Sequence, residues 1–187
     1  MRHLKIVAVF ATIAMLFGCQ APAPTQIADS AATKSALSFQ VPANSARVYF
    51  VNGKNLNAMW DTQHKFPANV YVNGQEIGSF NSSDVFVMNL KPGTYDISWR
   101  PRSTDPIDGN AAMLPYKAEL KKGDLVVLAG DYKVDFGGGL GFGLIGGVIA
   151  TANSKSLATT VVANKQDVMN KTVVVPQSCP PTICVSQ

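Results

Sequence analysis

Few side chains in this chain have a type and spacing that could do chemistry. There are three thiols, Cys19, Cys179 and Cys184. Cys19 directly follows Gly18 at the end of a short apolar run, which puts a sulfur where a lipid could be attached. A redox centre would favour Cys-x-x-Cys, and the interval from Cys179 to Cys184 has two residues too many. If Cys19 is lipidated, these two remain, and in an oxidising compartment they are expected to close a tight terminal loop; free thiols or an intermolecular bridge are the alternatives. His64 is the one histidine beyond the leader, so a metal would need Asp, Glu or Cys for every other ligand, and no spacing supplies them. No nucleophile-bearing motif supports a Ser-His-Asp arrangement either. The expectation is a non-enzymatic protein without catalytic residues, metal or cofactor.

The start of the chain explains why Cys19 matters. Arg2 and Lys5 form a positive region, residues 6–17 a short hydrophobic one, and the run is too short for a transmembrane helix but suits an export signal. Leu16-Phe17-Gly18-Cys19 resembles the bacterial lipobox, with Phe17 where a small or aliphatic residue is usual. Several acyl chains such as palmitate, at ~0.8 kcal/mol per buried CH₂, would make detachment negligible. The competing readings are secretory cleavage after Ala21-Pro22-Ala23 and an uncleaved anchor. Gln20 in place of Asp is the residue expected for an outer-membrane address, with the body facing the periplasm.

Three other features could meet a partner. Trp60 sits in a long connection after the first strand, and Arg100 and Arg102 open a second irregular loop beside Trp99, where they could meet an anionic lipid or glycan. The plainer reading has Trp60 capping one end of the body and the arginines solvated. Residues 136–152 carry no charge, and Gly139, Gly143 and Gly147 recur at every fourth position. In a helix they would form one smooth groove for the bilayer or for a second copy. Glycines serving turns or a flap are the third reading. Without Arg2 and Lys5 the chain keeps fourteen basic against twelve acidic residues, a balance of +2, and no Lys/Arg run with interleaved aromatics points to nucleic acid.

The elements that would position these residues read as strands. Val70-Tyr71-Val72 and residues 75–80 flank Asn73-Gly74, the strongest short hairpin signal. Residues 85–90 alternate with Phe86, Met88 and Leu90 on one face. Between Thr94 and Arg100, Tyr95, Ile97 and Trp99 share a face opposite Asp96 and Ser98. Residues 46–51 form an earlier strand, and 116–120 with 125–129 read as a second hairpin across Lys121-Lys122-Gly123-Asp124. Residues 157–162 and 171–175 could be further strands.

Val70-Tyr71-Val72-Asn73-Gly74-Gln75-Glu76-Ile77-Gly78, followed by Leu90-Lys91-Pro92-Gly93-Thr94-Tyr95, resembles transthyretin-like or PEGA-like β-domains, and a bacterial lipoprotein family of unknown function built on them. The resemblance covers residues 46–131 and implies a fold but no catalytic residues. The expected fold class is all-β, a single antiparallel β-sandwich of about seven strands over 46–135. It would follow a signal peptide over 1–18 and a lipidated tether over 19–45. The glycine-rich hydrophobic segment over 136–152 and a C-terminal extension over 153–187 complete the chain. The expected role is a scaffold or binding module held at the bilayer through acylated Cys19, with an envelope protein or glycan as partner. A glycine-zipper homo-oligomer that perturbs or spans the membrane is the alternative, and an unrecognised enzyme a distant third.

Overall fold

A computed structural model of the chain describes residues 24–52, 67–102, 112–135 and 155–185. Cys19, Trp60, His64 and the glycines at 139, 143 and 147 lie outside the described residues. The Asn73-Gly74 turn is built as its residues require: φ is 52° at Asn73 and 76° at Gly74, the left-handed pair of a two-residue hairpin loop. It joins β3 (Ala68–Val72) to β4 (Gln75–Phe80). Asn73 also holds β6 (Gly93–Pro101), its side-chain oxygen accepting from the Asp96 N–H at 2.9 Å and its own N–H donating to the Asp96 carbonyl at 2.8 Å.

The remaining strands are β1 (Thr25–Ile27), β2 (Ala46–Asn52), β5 (Asp84–Leu90), β7 (Ala112–Leu114), β8 (Tyr116–Leu120), β9 (Leu125–Asp135), β10 (Lys155–Val162) and β11 (Thr172–Pro176). Helix α1 (Ser30–Leu37) and a 3-10 turn at Lys165–Val168 complete the described elements. The fold is all-β and has two sheets, one of seven strands in the order β1-β11-β5-β2-β9-β10-β7 and one of four in the order β4-β3-β6-β8. The expectation of about seven antiparallel strands is corrected in both respects: eleven strands are described, and the larger sheet is mixed, with β2/β9, β5/β11 and β7/β10 parallel. Parallel neighbours require long crossovers. Between β2 and β9, for example, the chain alternates between the sheets, through β3, β4, β6 and β8 of the small one and β5 and β7 of the large one.

The second hairpin is also corrected. β8 pairs with β6 in the small sheet, and β9 lies beside β2 in the large one. Residues 121–124 therefore carry the chain from sheet to sheet. The Lys121 N–H donates to the Asp124 carboxylate at 2.7 Å, the Gly123 N–H to the Ser45 carbonyl at 2.8 Å, and the Arg47 N–H to the Asp124 carbonyl at 2.8 Å. The turn is thus hitched to the start of β2. The same device serves the crossing from β4 to β5, where the Asn81 N–H donates to Asp84 Oδ2 at 2.9 Å.

Two expected boundaries also move. Part of the 19–45 tether belongs to the body: β1 pairs with β11, and α1 lies against the large sheet with Ala36 buried. Small residues permit this, because an alanine face lets a helix approach a sheet closely. Asp29 caps the helix, accepting from the Ala32 N–H at 2.7 Å. Likewise 153–187 is no extension, since β10 and β11 are internal strands of the large sheet.

Both faces of the central strands are consequently covered. Along β5, Phe86, Met88 and Leu90 enter the main core with Val48, Phe50 and Leu128, meeting Val70, Val72, Ile77, Ile97 and Trp99 of the small sheet. Val85 and Val87 enter a second cluster with Tyr49, Val51 and Ala36. Fully burying each such side chain contributes about 1.5–3 kcal/mol.

Two glycines set how closely the sheets approach. A Cβ on Gly130 of β9 would run into the Trp99 indole, and one on Gly78 of β4 would stand 2.7 Å from the Phe86 ring. We expect Gly130→Ala to destabilise the fold by about 1–3 kcal/mol through overpacking, read from the urea midpoint. Gly93→Ala, whose Cβ has its nearest neighbour at 3.3 Å, should cost less.

Candidate functional site

In the four-stranded sheet, alternation sends Val70, Val72, Ile97 and Trp99 into the core and leaves Asn69, Tyr71, Ser98 and Arg100 on the opposite face. Register places Asn69 opposite Arg100 and Tyr71 opposite Ser98. On the β4 side the register shifts between Val70 and Tyr71, so that Val70 pairs with Gly78 but Tyr71 with Glu76. This bulge absorbs Ile77 into the core and brings Glu76 beside Tyr71. Glu76 Oε2 then accepts long hydrogen bonds, each 3.4 Å, from Asn69 Nδ2 and the Tyr71 hydroxyl.

The strip holds an amide, a phenol, a carboxylate and a guanidinium on adjoining strands. Two of its polar atoms, Asn69 Oδ1 and Arg100 Nε, are buried without a hydrogen-bond partner among the described residues. An orphaned acceptor and an orphaned donor on directly paired residues are each costly. Burial pushes the Tyr71 hydroxyl above its ordinary pKa, opposed by its hydrogen bond with Asn69 and reinforced by the Glu76 charge. Among the described residues no group of three His, Cys, Asp or Glu is placed to hold a metal ion.

Of the residues singled out in the sequence, Arg100 lies on this strip. Arg102 does not. Its backbone N–H donates to the Pro67 carbonyl at 2.6 Å, and its exposed side chain lines a separate polar cleft of about 430 Å³ with Gln26, Ser79, Asp84 and Thr172. Cys179 and Cys184 are joined by a disulfide with Cα atoms 5.8 Å apart. It closes a loop that packs on the main core, where Cys184 bridges to Leu90 and the Val185 N–H donates to the Asn89 carbonyl at 2.9 Å. Asn69, Tyr71 and Glu76 escaped the sequence reading. The period-two pattern marks the first two as outward-facing, but the bulge that recruits Glu76 leaves no local signature.

The tyrosines give a pH test. Tyr71 and Tyr49 both have folded pKa values raised above 10.0, chiefly by burial. A raised value means stability that is complete below pH 10 and is lost as pH climbs through the folded value. The melting temperature should therefore fall more steeply above about pH 10 in the wild type than in Tyr71→Phe or Tyr49→Phe, each of which removes one titrating group.

Compared with family models, curated proteins and solved structures, the chain finds no match.

Proposed function

We propose that this protein is a non-catalytic binding module, lipid-anchored in a bacterial envelope. Its two sheets form the faces of a transthyretin-like β-sandwich, and it meets a glycan through the outer face of the small sheet. The observation that carries this reading is the facing pair Asn69 and Arg100, with an unmatched acceptor and an unmatched donor. A hydroxyl admitted between the two side chains would donate to Asn69 Oδ1 and accept from Arg100 Nε. Tyr71 adds a ring and Glu76 a further acceptor, the mixture that suits a ligand carrying several adjacent hydroxyls. Hydrogen-bonding groups beside an aromatic ring support recognition as the role of the strip.

Anchoring rests on the leader ending at Gly18-Cys19. Since β1 begins at Thr25, six residues beyond Cys19, the leash is at most about 20 Å at ~3.5 Å per residue. The body is then held against the bilayer surface, nearer than a tether running to residue 45 would allow. The single long-lived attachment raises the local concentration of any ligand in the same envelope layer.

Two measurements separate the parts of this proposal. Cys19→Ser should move the chain from the membrane to the soluble fraction, and intact-mass spectrometry of the wild type should find an acylated species. In titrations with N-acetylglucosamine oligosaccharides, Asn69→Ala and Arg100→Ala should each weaken binding about tenfold, the scale of one lost hydrogen bond to a charged or buried group. Wild-type protein that gives no saturable response to such sugars would remove the glycan and leave the anchor standing.

A further inference from the structure

On the other face of the large sheet, beneath α1, Arg47 is only 4% exposed. Its neighbours Ala46 and Val48 enter the main core, so alternation sends Arg47 the opposite way, with Tyr49. Arg47 Nε donates to Asn89 Oδ1 at 2.8 Å, and Nη1 donates to Ser35 Oγ at 3.1 Å. The Tyr49 hydroxyl beside it donates to the Ala36 carbonyl at 2.7 Å, and burial holds that phenol neutral against the pull of the guanidinium.

All of these partners are uncharged. Among the described residues no carboxylate pairs with Arg47, and a guanidinium withdrawn from water without an opposite charge is expensive. Asn89 and Ser35 take two of its five N–H donors, and the neutral Tyr49 hydroxyl oxygen is a third hydrogen-bond partner. Arg47 and Asn89 also line a cleft of about 200 Å³ whose other walls are apolar: Ala32 and Ala36 of α1, Pro42, and Val87, Val173 and Val175 of the sheet. One fixed cation in a small aliphatic cleft is a specific combination.

We propose that this cleft binds a small aliphatic carboxylate, the guanidinium taking the carboxyl group and the alanine and valine walls taking the hydrocarbon. The planar fork of Arg matches a carboxylate in two-point fashion, and one negative charge balances one buried positive charge. A phosphate would bring excess charge into apolar walls. A neutral alcohol of the same length would leave the guanidinium uncompensated. The site is independent of the sugar-facing strip, which lies on the outer face of the other sheet.

The test is an NMR titration of the full chain with hexanoate, and with hexanol, hexylamine and inorganic phosphate at matched ionic strength. Hexanoate should produce saturable shifts centred on α1 and β2, at least tenfold tighter than the other three. Arg47→Gln should weaken hexanoate about tenfold. Ala32→Phe, which fills the cleft and leaves the guanidinium in place, should do the same, and it decides the matter if Arg47→Gln does not fold. Hexanol or phosphate binding as tightly as hexanoate, undiminished affinity in Ala32→Phe, or no saturable response in the wild type would each overturn the assignment.

Discussion

Two aromatic rings laid on bare backbone determine how closely the two sheets of this protein can meet. The Trp99 indole of the small sheet occupies the space a side chain at Gly130 would fill, and the Phe86 ring of the large sheet does the same at Gly78. Each contact is reciprocal, one sheet giving the ring and the other the gap. The Phe80 ring extends the second contact, 6.2 Å from Phe86 and 5.8 Å from Phe50. Interiors packed to crystal-like density tolerate little change in such contacts. The spacing of the sheets therefore depends on glycine at two strand positions where glycine is otherwise unfavourable.

The second constraint is that the middle of the large sheet has no solvent face. Strands β2 and β5 carry large apolar residues on both sides, and the main core covers only one of them. Helix α1, the 3-10 turn and the flanking valines of β11 cover the other. This accounts for the recruitment of segments far apart in the chain, since an exposed row of Val51, Val85 and Val87 would be a standing aggregation hazard.

Burial on both faces has a price in polar residues. Arg47, Asn89 and Tyr49 sit among valines, and each is held by a specific hydrogen bond to a neighbour or to α1. The outer face of the small sheet carries the opposite arrangement, an exposed rim of Thr94, Asp96, Lys117 and Glu119 grading into the half-buried Asn69, Tyr71 and Arg100. The two polar groups thus differ in kind: one is a charge sunk in an apolar wall, the other a partly dry strip of hydrogen-bonding groups.

Much of the local structure was legible in the residues themselves. Asn73-Gly74 determined its hairpin, because few residue pairs tolerate two consecutive left-handed conformations. The alternation of Tyr95, Ile97 and Trp99 determined which face of β6 is dry. What the chain did not declare was partnership. Lys121-Lys122-Gly123-Asp124 reverses the chain equally well within a sheet or between sheets, and only its bonds to Ser45 and Arg47 choose. The Ala-rich stretch before β2 looks like a solvated linker until a sheet face needs covering, and the bulge that turns Glu76 toward Tyr71 exists only in register with β3. Turns and faces are settled by neighbours a few residues away. Sheet membership, strand direction and the burial of Arg47 are settled by which surfaces remain uncovered once the rest of the chain has packed.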